Sequence, residues 1–305
     1  MNADTAGTAH ERSLAAAFAA LVVGACAMGA SPIFVRLADV GPQASAFWRT
    51  ALALPALWLW MRIEERSARS VAPLRFDRAI ALAGLCFAGD LFFWHLAILN
   101  TTVANATFFA VTAPVFVVAG AFLFLGERAT SRVLLGIAAC LAGGTALIAQ
   151  SYQIEPARLS GDFYGIVTAL FFGSYVIAVR NARSRHGAAR LMFLSTIVTA
   201  ALLLSAALVI EQPLAPRSLE GAAALLALAL VSQVGGQGLL AFALGSLPAT
   251  FSSLVIFLEA VAAAALGWIA LGETLTPIQA LGGLLIVVGI FIARPRATMP
   301  AGAAP

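Results

Sequence analysis

The sequence predicts an all-α integral membrane protein of ten transmembrane helices, arranged as two inverted repeats of five helices each. Three observations lead to this fold class. Hydrophobic residues make up 61% of the 305 residues and charged residues only 10%, whereas a soluble domain carries about 25% charged residues. Ten apolar segments are long enough to cross a bilayer. The chain also matches itself over most of its length, and such internal repeats constrain the fold strongly.

The repeat is clearest where Leu125-Gly126-Glu127 falls on Leu271-Gly272-Glu273, at an offset of 146 residues (271 minus 125). Further upstream, Val35-Arg36 falls on Val179-Arg180 at an offset of 144 (179 minus 35), and a gap of two residues reconciles the two offsets. Because each unit holds five spans, an odd number, the second unit must enter the membrane from the side opposite to the first. The repeat is therefore inverted.

The predicted spans each have the length of about 20 mostly apolar residues that a helix needs to cross the hydrocarbon core. The first repeat covers residues 14–150 and the second covers residues 161–293, which leaves residues 1–13 and 294–305 as tails. The ten spans, numbered one to ten below, are 14–36, 43–61, 79–99, 103–125, 132–149, 161–180, 190–210, 221–244, 249–271 and 277–293.

Prolines indicate where several spans begin or bend. Pro42 and Pro277 lie at span starts, where a missing backbone N–H costs nothing, and Thr276 is a suitable N-cap for span ten. Pro32 and Pro114 lie inside spans one and four. Each removes a helical hydrogen bond there, so we expect a kink at both positions.

Glycine and glutamate end the two repeated helices, at Gly126-Glu127 and at Gly272-Glu273. The glycine suits a helix end because it tolerates the left-handed conformation. We expect both glutamates to be structural and to bond loop N–H groups or nearby arginines.

The placement of arginine predicts the orientation. All 18 basic residues are arginine. With the N-terminus inside, 14 of them fall in cytoplasmic segments, and only Arg36, Arg158 and Arg217 fall outside. This bias predicts a protein of the inner (cytoplasmic) membrane with both termini in the cytoplasm. The repeat partners Arg36 and Arg180 then lie on opposite sides, as inversion requires.

Composition and spacing argue against several other classes of function. The net charge of +4 is explained by arginine-biased membrane loops, so no nucleic-acid partner is expected. The three cysteines, Cys26, Cys86 and Cys140, each lie inside an apolar run, which is not typical of a disulfide framework or a metal site. The chain has no HExxH and no nucleotide-binding glycine loop. We expect no cofactor and no metal.

Four ionisable residues lie deep in predicted spans, where a charge is costly and usually functional: Arg49, Asp90, His95 and Glu259. Asp90 and Glu259 are near the middle of their spans, while Arg49 and His95 lie somewhat further outward. One interpretation is an internal ion pair between Arg49 and one of the carboxylates. The other is that these groups face a wet cavity and bind charged substrate groups or a proton. For His95, a hydrogen-bonded structural role is the alternative interpretation.

Span eight contains Gln233-Val234-Gly235-Gly236-Gln237-Gly238. Three glycines in four residues weaken a helix, and Gln233 and Gln237 share a face of a regular helix. Gly236 is the repeat partner of Asp90, and interrupted helices at matching positions in two halves indicate a transporter binding site. Close helix packing by small residues is the alternative.

Span four carries a polar and aromatic stripe at helical spacing, Asn105–Phe109–Thr112–Phe116, which favours the lining of a cavity. Trp94, one turn beyond Asp90, adds a ring that can hold a cation or stack on an aromatic side chain. The complete set of predicted substrate-binding residues is Arg49, Asp90, Trp94, His95, Asn105, Phe109, Thr112, Gln233, Gly236, Gln237 and Glu259.

These residues resemble the drug/metabolite transporter superfamily, and specifically its EamA-type exporters. The resemblance covers residues 14–293 and rests on Arg49, on Pro114 followed by the first Leu-Gly-Glu, and on Glu259 followed by the second. Members often carry Glu-Pro in span nine, whereas here Ala260 follows Glu259, so the proline that would kink that span is missing.

The run from Gly89 to His95 is similar to that of a subset of these exporters, which includes exporters of aromatic amino acids. The resemblance implies a central cavity between the two halves that opens alternately to each side of the membrane. It also implies the export of amino acids or related small metabolites.

Of a secondary transporter, a channel and an intramembrane hydrolase, the secondary transporter is the most consistent with the sequence. Proton-coupled export of drug-like organic cations or other metabolites is the alternative within that class. A channel suits inverted repeats with interrupted helices less well. An intramembrane hydrolase would need a nucleophile with a base in reach, and nothing in the sequence pairs Ser31 with His95. We therefore expect no enzyme, and a monomer whose partners are a small-molecule substrate and the lipid bilayer.

Overall fold

The computed structural model describes residues 3–67, 77–100, 109, 112–148, 159–211, 213–271 and 276–294. These residues form helices in ten spans, and no strand occurs among them, in agreement with the predicted all-α fold. Seven helical segments are long and apolar enough to cross a membrane, and two further apolar helices, Ala113–Leu125 and Pro277–Ala293, are shorter.

The helices of the first repeat are Ala3–Met28 and Ser31–Leu37 (span one), Pro42–Ala51 and Leu54–Ser67 (span two), Arg78–Asn100 (span three), Ala113–Gly120 and Ala121–Leu125 (span four) and Ser131–Ile148 (span five). The helices of the second repeat are Leu159–Arg183 (span six), Ala188–Ile210 (span seven), Leu219–Ala227, Leu228–Gln237 and Gly238–Ala243 (span eight), Ala249–Val255 and Leu258–Leu271 (span nine) and Pro277–Ala293 (span ten).

Three spans are broken near mid-depth. Span one is interrupted at Gly29-Ala30, directly before Pro32, which confirms the predicted break. Span two is interrupted at Leu52-Ala53 and span nine at Ile256-Phe257, and neither break was predicted. The break in span nine precedes Glu259 by two residues although no proline is present. Pro114 begins the described helix of span four, so a kink there lies outside the described residues.

Span eight leaves regular α-helical geometry over Leu228–Gln237, where it forms a π-helix. π-helical turns are rare and often occur at functional sites. The glycine-rich run predicted a weakened helix, and the structure has this irregularity at that run.

The predicted helix ends are present. Gly126 ends span four in the left-handed conformation, with φ +67°. Thr276 caps span ten, because its side chain accepts a hydrogen bond from the Gln279 backbone while the Gln279 side chain bonds the Thr276 backbone N–H, and Pro277 follows in the first turn.

Spans five and ten pack closely through glycines that the repeat relates to each other. A Cβ atom added to Gly143 would lie 2.5 Å from the carbonyl oxygen of Gly282, and one added to Gly136 would lie 2.7 Å from that of Gly289. In the alignment, Gly143 is the partner of Gly289 and Gly136 is the partner of Gly282. Gly143 therefore contacts the repeat partner of Gly136, and Gly136 contacts the repeat partner of Gly143. A two-fold axis between inverted repeats requires this pattern.

The remaining span contacts follow the same symmetry. Span three packs against span six, and its repeat partner, span eight, packs against span one. Spans four and nine also pack against spans six and one, respectively, while span two packs against span seven. Most of these contacts join one repeat to the other, so the two halves enclose a common centre.

Candidate functional site

A cavity lies at the centre of the molecule, between the two repeats. Its empty volume is about 1020 Å³, including its opening. Five of the predicted site residues line it: Arg49, Asp90, Trp94, Gln237 and Glu259. The other lining residues are Met28, Ser31, Pro32, Leu91, Ala113, Pro114, Thr168, Phe172, Ser253, Ile256, Phe257, Ala260 and Ala263.

Arg49 is the cation of this cavity. It lies on the first helix of span two, which begins at Pro42, and its side chain is buried. Its Nε donates a hydrogen bond to Oε1 of Gln233 at 3.2 Å, and its guanidinium carbon lies 5.7 Å from the centre of the Phe87 ring. These two contacts fix the guanidinium group at the cavity wall.

Asp90 and Glu259 bring two carboxylates to the same cavity, from span three and from the second helix of span nine. In the described part of the chain, neither carboxylate forms an ion pair with Arg49. The internal ion pair considered from the sequence is therefore not formed in this conformation. If both carboxylates are ionised, the cavity holds two negative charges and one positive charge, an excess of one negative charge.

Several neutral polar atoms in the cavity wall are available to a ligand. Ser31 Oγ, Thr168 Oγ1 and Gln237 Oε1 are buried and have no hydrogen-bond partner among the described residues. A buried polar atom without a partner is costly, which makes these atoms candidate hydrogen-bonding groups for a ligand. Ser31 and Thr168 were not among the predicted binding residues. The available signal was weak, because single hydroxyl residues are common in transmembrane helices.

The other predicted residues of spans three and eight lie beside the cavity rather than in its lining. The Nδ1 atom of His95 bonds the Leu91 carbonyl oxygen, and its Nε2 atom has no partner among the described residues. Gln233 accepts a hydrogen bond from Arg49 and is not itself part of the cavity lining. Gly236 packs against span one, where Gly24 approaches its carbonyl oxygen. Close helix packing therefore explains Gly236 in this conformation.

The two aromatic residues of the stripe on span four lie against span six and not in the cavity lining. Phe109 lies against Gly165, and Phe116 lies against Gly173. The hydroxyl of Thr112 donates a hydrogen bond to the carbonyl oxygen of Phe109 at 2.6 Å. Asn105 lies outside the described residues. Helical spacing alone did not identify the element that the two aromatic rings contact.

Glu127 joins the two repeats at the face of the membrane where the arginines concentrate. Its Oε1 atom accepts a hydrogen bond from Nε of Arg180 at 3.1 Å, and its Oε2 atom accepts one from the backbone N–H of Ala249 at 3.0 Å. Nη1 of Arg180 also donates to the Leu244 carbonyl oxygen at 2.9 Å. We call these four residues the Glu127 latch. The predicted structural role of Glu127 is confirmed, whereas Glu273 lies outside the described residues.

Two further clusters link the loops on this face. Arg190 pairs with Glu65 at 2.8 Å, and Asp77 pairs with Arg185 at 2.8 Å and with His186 at 3.2 Å. The hydrogen bond from His186, followed by that from a backbone N–H, holds the pKa of the Asp77 carboxyl below its usual value.

The cavity lies away from this arginine-rich face. Its lining residues on spans one and three come from the halves of these spans that are remote from it, such as Ser31 and Trp94. The Glu127 latch and the loop clusters thus lie on the arginine-rich side of the cavity.

Three comparisons relate the chain to known proteins. The sequence profile of the EamA-like transporter family matches it twice, over residues 15–149 and 159–294. An uncharacterized transporter from Archaeoglobus fulgidus is 25% identical over 292 residues, which cover 90% of this chain and 95% of that protein. The pseudopaline exporter CntI from Pseudomonas aeruginosa is 26% identical over 245 residues, which cover 79% of this chain and 82% of that protein.

A solved crystal structure has the same fold. It superposes with a TM-score of 0.77 at 19% sequence identity, over 93% of this chain and 97% of that chain.

Proposed function

The chain belongs to the EamA-like transporter family, and we propose that this membrane transporter exports amino acids or related small metabolites by alternating access. The observation that carries the substrate class is a set of three ionisable side chains, Arg49, Asp90 and Glu259, that line one cavity between the repeats. The export direction is supported by the relative that is named as an exporter.

The cavity is chemically complementary to an amino-acid zwitterion. The guanidinium of Arg49 has the geometry to bind a carboxylate through two hydrogen bonds. Asp90 can bind the ammonium group, and the ring of Trp94, one turn away, can add a cation–π contact. The free polar atoms of Ser31, Thr168 and Gln237 supply hydrogen bonds to the remaining polar atoms of the substrate. Apolar neighbours such as Phe172 accommodate its side chain.

Alternating access follows from the symmetry of the fold. Inverted repeats can exchange conformations, so that a cavity closed on one side opens on the other. In this conformation the Glu127 latch closes the arginine-rich side. The breaks in spans one, two and nine and the π-helix of span eight lie close to the cavity, where the backbone can bend.

Proton-coupled export of organic cations is the second candidate, and the presence of two carboxyl groups beside a single guanidinium in the cavity lining favours it. A buried unpaired carboxylate is costly. The excess charge must therefore be neutralised by a proton or by a cationic group of the substrate. If the proton and the substrate cation bind the same carboxylate, they cannot be bound at the same time. An inward proton gradient then drives the outward movement of the cation.

The orientation is part of the proposal. The excess of arginine on one face supports an orientation with both termini in the cytoplasm and a location in the inner membrane. A reporter fused after Pro305 should be active on the cytoplasmic side only. Activity in the periplasm would mean that the orientation of the protein in the membrane is the reverse of the one proposed.

A flux panel in proteoliposomes tests the function. Vesicles are loaded with single labelled amino acids or with an organic cation such as tetraphenylphosphonium, and efflux is measured with and without a pH gradient. We expect saturable efflux and counterflow of one or more amino acids. Efflux of the cation alone, dependent on the pH gradient, would favour the second candidate. Flux that does not saturate and shows no counterflow would indicate a channel.

A further inference from the structure

A second groove lies outside the central cavity, on the surface of the spans that faces the membrane lipid. It shares no lining residue with the cavity, and its empty volume is about 1050 Å³, including its open side. Spans three and four form its walls and span six forms its floor. Leu82, Leu123 and Phe124 on the walls are exposed over 51%, 70% and 77% of their surface.

The floor of the groove includes small side chains. Ser174 lines the floor beside the buried Ile177 and Ala178, and Gly120 lines the adjoining wall of span four. The hydroxyl of Ser174 is satisfied within its own helix, because it donates to the Leu170 carbonyl oxygen at 2.8 Å. The surface left to a ligand in the middle of the groove is therefore apolar and elongated, which suits a hydrocarbon chain.

One end of the groove lies at the arginine-rich face. Arg78, Leu82 and Cys86 are spaced by four residues on the helix of span three, so they share one face and Arg78 continues the wall toward that end. Asn181 lines the same end from span six. Arg128 follows span four directly after the Glu127 latch.

The charges at this end do not cancel. Asp77 is neutralised by Arg185 and His186, and Glu127 is engaged by Arg180. Arg78 and Arg128 are exposed, and the described residues provide neither of them with an acidic partner. Two exposed arginines thus lie one helical turn or less beyond lining residues of this end, Arg78 before Leu82 and Arg128 after Leu125.

We propose that this groove binds an anionic phospholipid of the leaflet at the arginine-rich face. One acyl chain lies along Leu82, Gly120 and Ile177, and the phosphate is held by Arg78 and Arg128. Basic pockets between transmembrane helices are typical sites for anionic lipid head groups. The site goes beyond the proposed export function and does not depend on the identity of the substrate.

The groove adjoins the Glu127 latch. Leu125 lines the groove and is followed by Gly126, at which span four ends, and by Glu127 itself. A lipid in the groove packs against the π-helical turn Ala121–Leu125 and so holds the end of span four against span six. Bound lipid should therefore stabilise the conformation in which the arginine-rich side is closed.

Native mass spectrometry on the purified full chain in detergent tests the charged end. The probes are dioleoyl phosphatidylglycerol and dioleoyl phosphatidylcholine, which share their acyl chains and differ in net charge. We expect tighter binding of phosphatidylglycerol. Arg78→Gln should lower that affinity about fivefold, the effect of one arginine near an anionic head group, and should leave phosphatidylcholine unchanged. Arg66→Gln, an exposed arginine on the same face, is the control and should change neither.

A second variant tests the apolar part of the groove. Ser174→Trp fills its floor and should reduce the binding of both lipids, whereas Leu281→Trp, on the exposed surface of span ten, should not. Equal affinity for the two lipids, or equal losses in Arg78→Gln and Arg66→Gln, would overturn the proposal. So would a dimer that Ser174→Trp converts to a monomer, because the groove would then be an interface between two copies of this chain.

Discussion

At the scale of single residues, Arg49, Asp90 and Glu259 bring the ionisable groups of the central cavity together, because all three line it. The cost of placing a charge in a membrane identifies these three residues in the sequence. The same rule selected His95, which instead bonds the backbone of its own helix. Ser31 and Thr168 could not be selected, because a hydroxyl group in a span can bond its own helix at little cost, and only the fold shows that these two do not.

Asp90→Asn tests the role of the cavity carboxylate. We expect the affinity for a transported amino acid to fall at least tenfold at every pH, because a charge-assisted hydrogen bond to the ammonium group is lost. Binding to the purified protein measures this. Glu220→Gln, an exposed acid at the start of span eight, is the matched control and should keep the affinity of the wild type.

The ion-pair alternative predicts a different result for the same variant. If Asp90 and Arg49 pair in another conformation mainly to hold the helices together, Asp90→Asn should lower the thermal stability. Arg49→Gln combined with it should then restore much of that loss. A variant with unchanged substrate affinity, unchanged pH dependence and unchanged stability would contradict every role assigned to Asp90.

Asp77 predicts a pH-dependent contribution to stability. Its folded pKa lies below the unfolded value, so the contribution is fully present above the unfolded pKa, about 4. It is lost as the pH falls through the lower, folded pKa. Thermal denaturation should therefore show Asp77→Asn to be less stable than the wild type at pH 7, with the difference vanishing in strong acid. A difference that persists unchanged in acid would mean that the carboxylate charge is not responsible.

At the scale of helices, the sequence predicted interruptions where the cause is local. Pro32 predicted the break in span one, and the glycines of span eight predicted its irregular turn. The breaks at Leu52-Ala53 and Ile256-Phe257 have no such local signal. A helix inside a folded bundle can be interrupted where neighbouring helices and the cavity stabilise the freed backbone groups, and these neighbours are known only from the fold.

Gly236 and Gly235 provide a matched pair of substitutions in the irregular turn. A Cβ atom at Gly236 would meet the side chain of Met28 and the carbonyl oxygen of Gly24 on span one, whereas one at Gly235 would only touch the Leu230 carbonyl oxygen at 3.4 Å. Overpacking of this kind costs about 1–3 kcal/mol. We therefore expect Gly236→Ala to lower the thermal stability in detergent and Gly235→Ala to leave it nearly unchanged. Equal stability of the two variants would exclude the packing role of Gly236.

At the scale of the whole molecule, the repeat predicted the fold class and its symmetry. The glycine contacts between spans five and ten are those that the alignment relates. The lining of the cavity was less predictable, since Phe109 and Phe116 on span four lie against span six. Among the proposed residues that the structure describes, five line the cavity. Periodicity identifies residues on one face of a helix, but the partner of that face depends on how ten helices are arranged.

The Glu127 latch predicts a change in access to the cavity. Glu127→Gln weakens two charge-assisted hydrogen bonds, and the loss of about 1.5–3 kcal/mol shifts a two-state equilibrium by tenfold or more. A cysteine in the cavity, Ser253→Cys with the three native cysteines replaced by alanine, reports the effect. We expect a membrane-impermeant maleimide added from the arginine-rich side to label it faster in Glu127→Gln.

Glu220→Gln is the control for this experiment, because it removes one acidic charge at the opposite face. It should leave the labelling rate unchanged. If Glu127→Gln also leaves the rate unchanged, the latch does not restrict access to the cavity from the arginine-rich side.

Competition by substrate derivatives most directly tests the central claim, that the cavity binds both charges of an amino acid. Exchange of a labelled, transported amino acid is measured in proteoliposomes against the same amino acid, its carboxamide and its N-acetyl form. The account predicts that both derivatives compete at least tenfold more weakly, since each loses one charge-assisted hydrogen bond. It also predicts that Arg49→Gln weakens competition by the amino acid but not by the carboxamide. Equal competition by all three compounds, or equal effects of Arg49→Gln on all three, would contradict it.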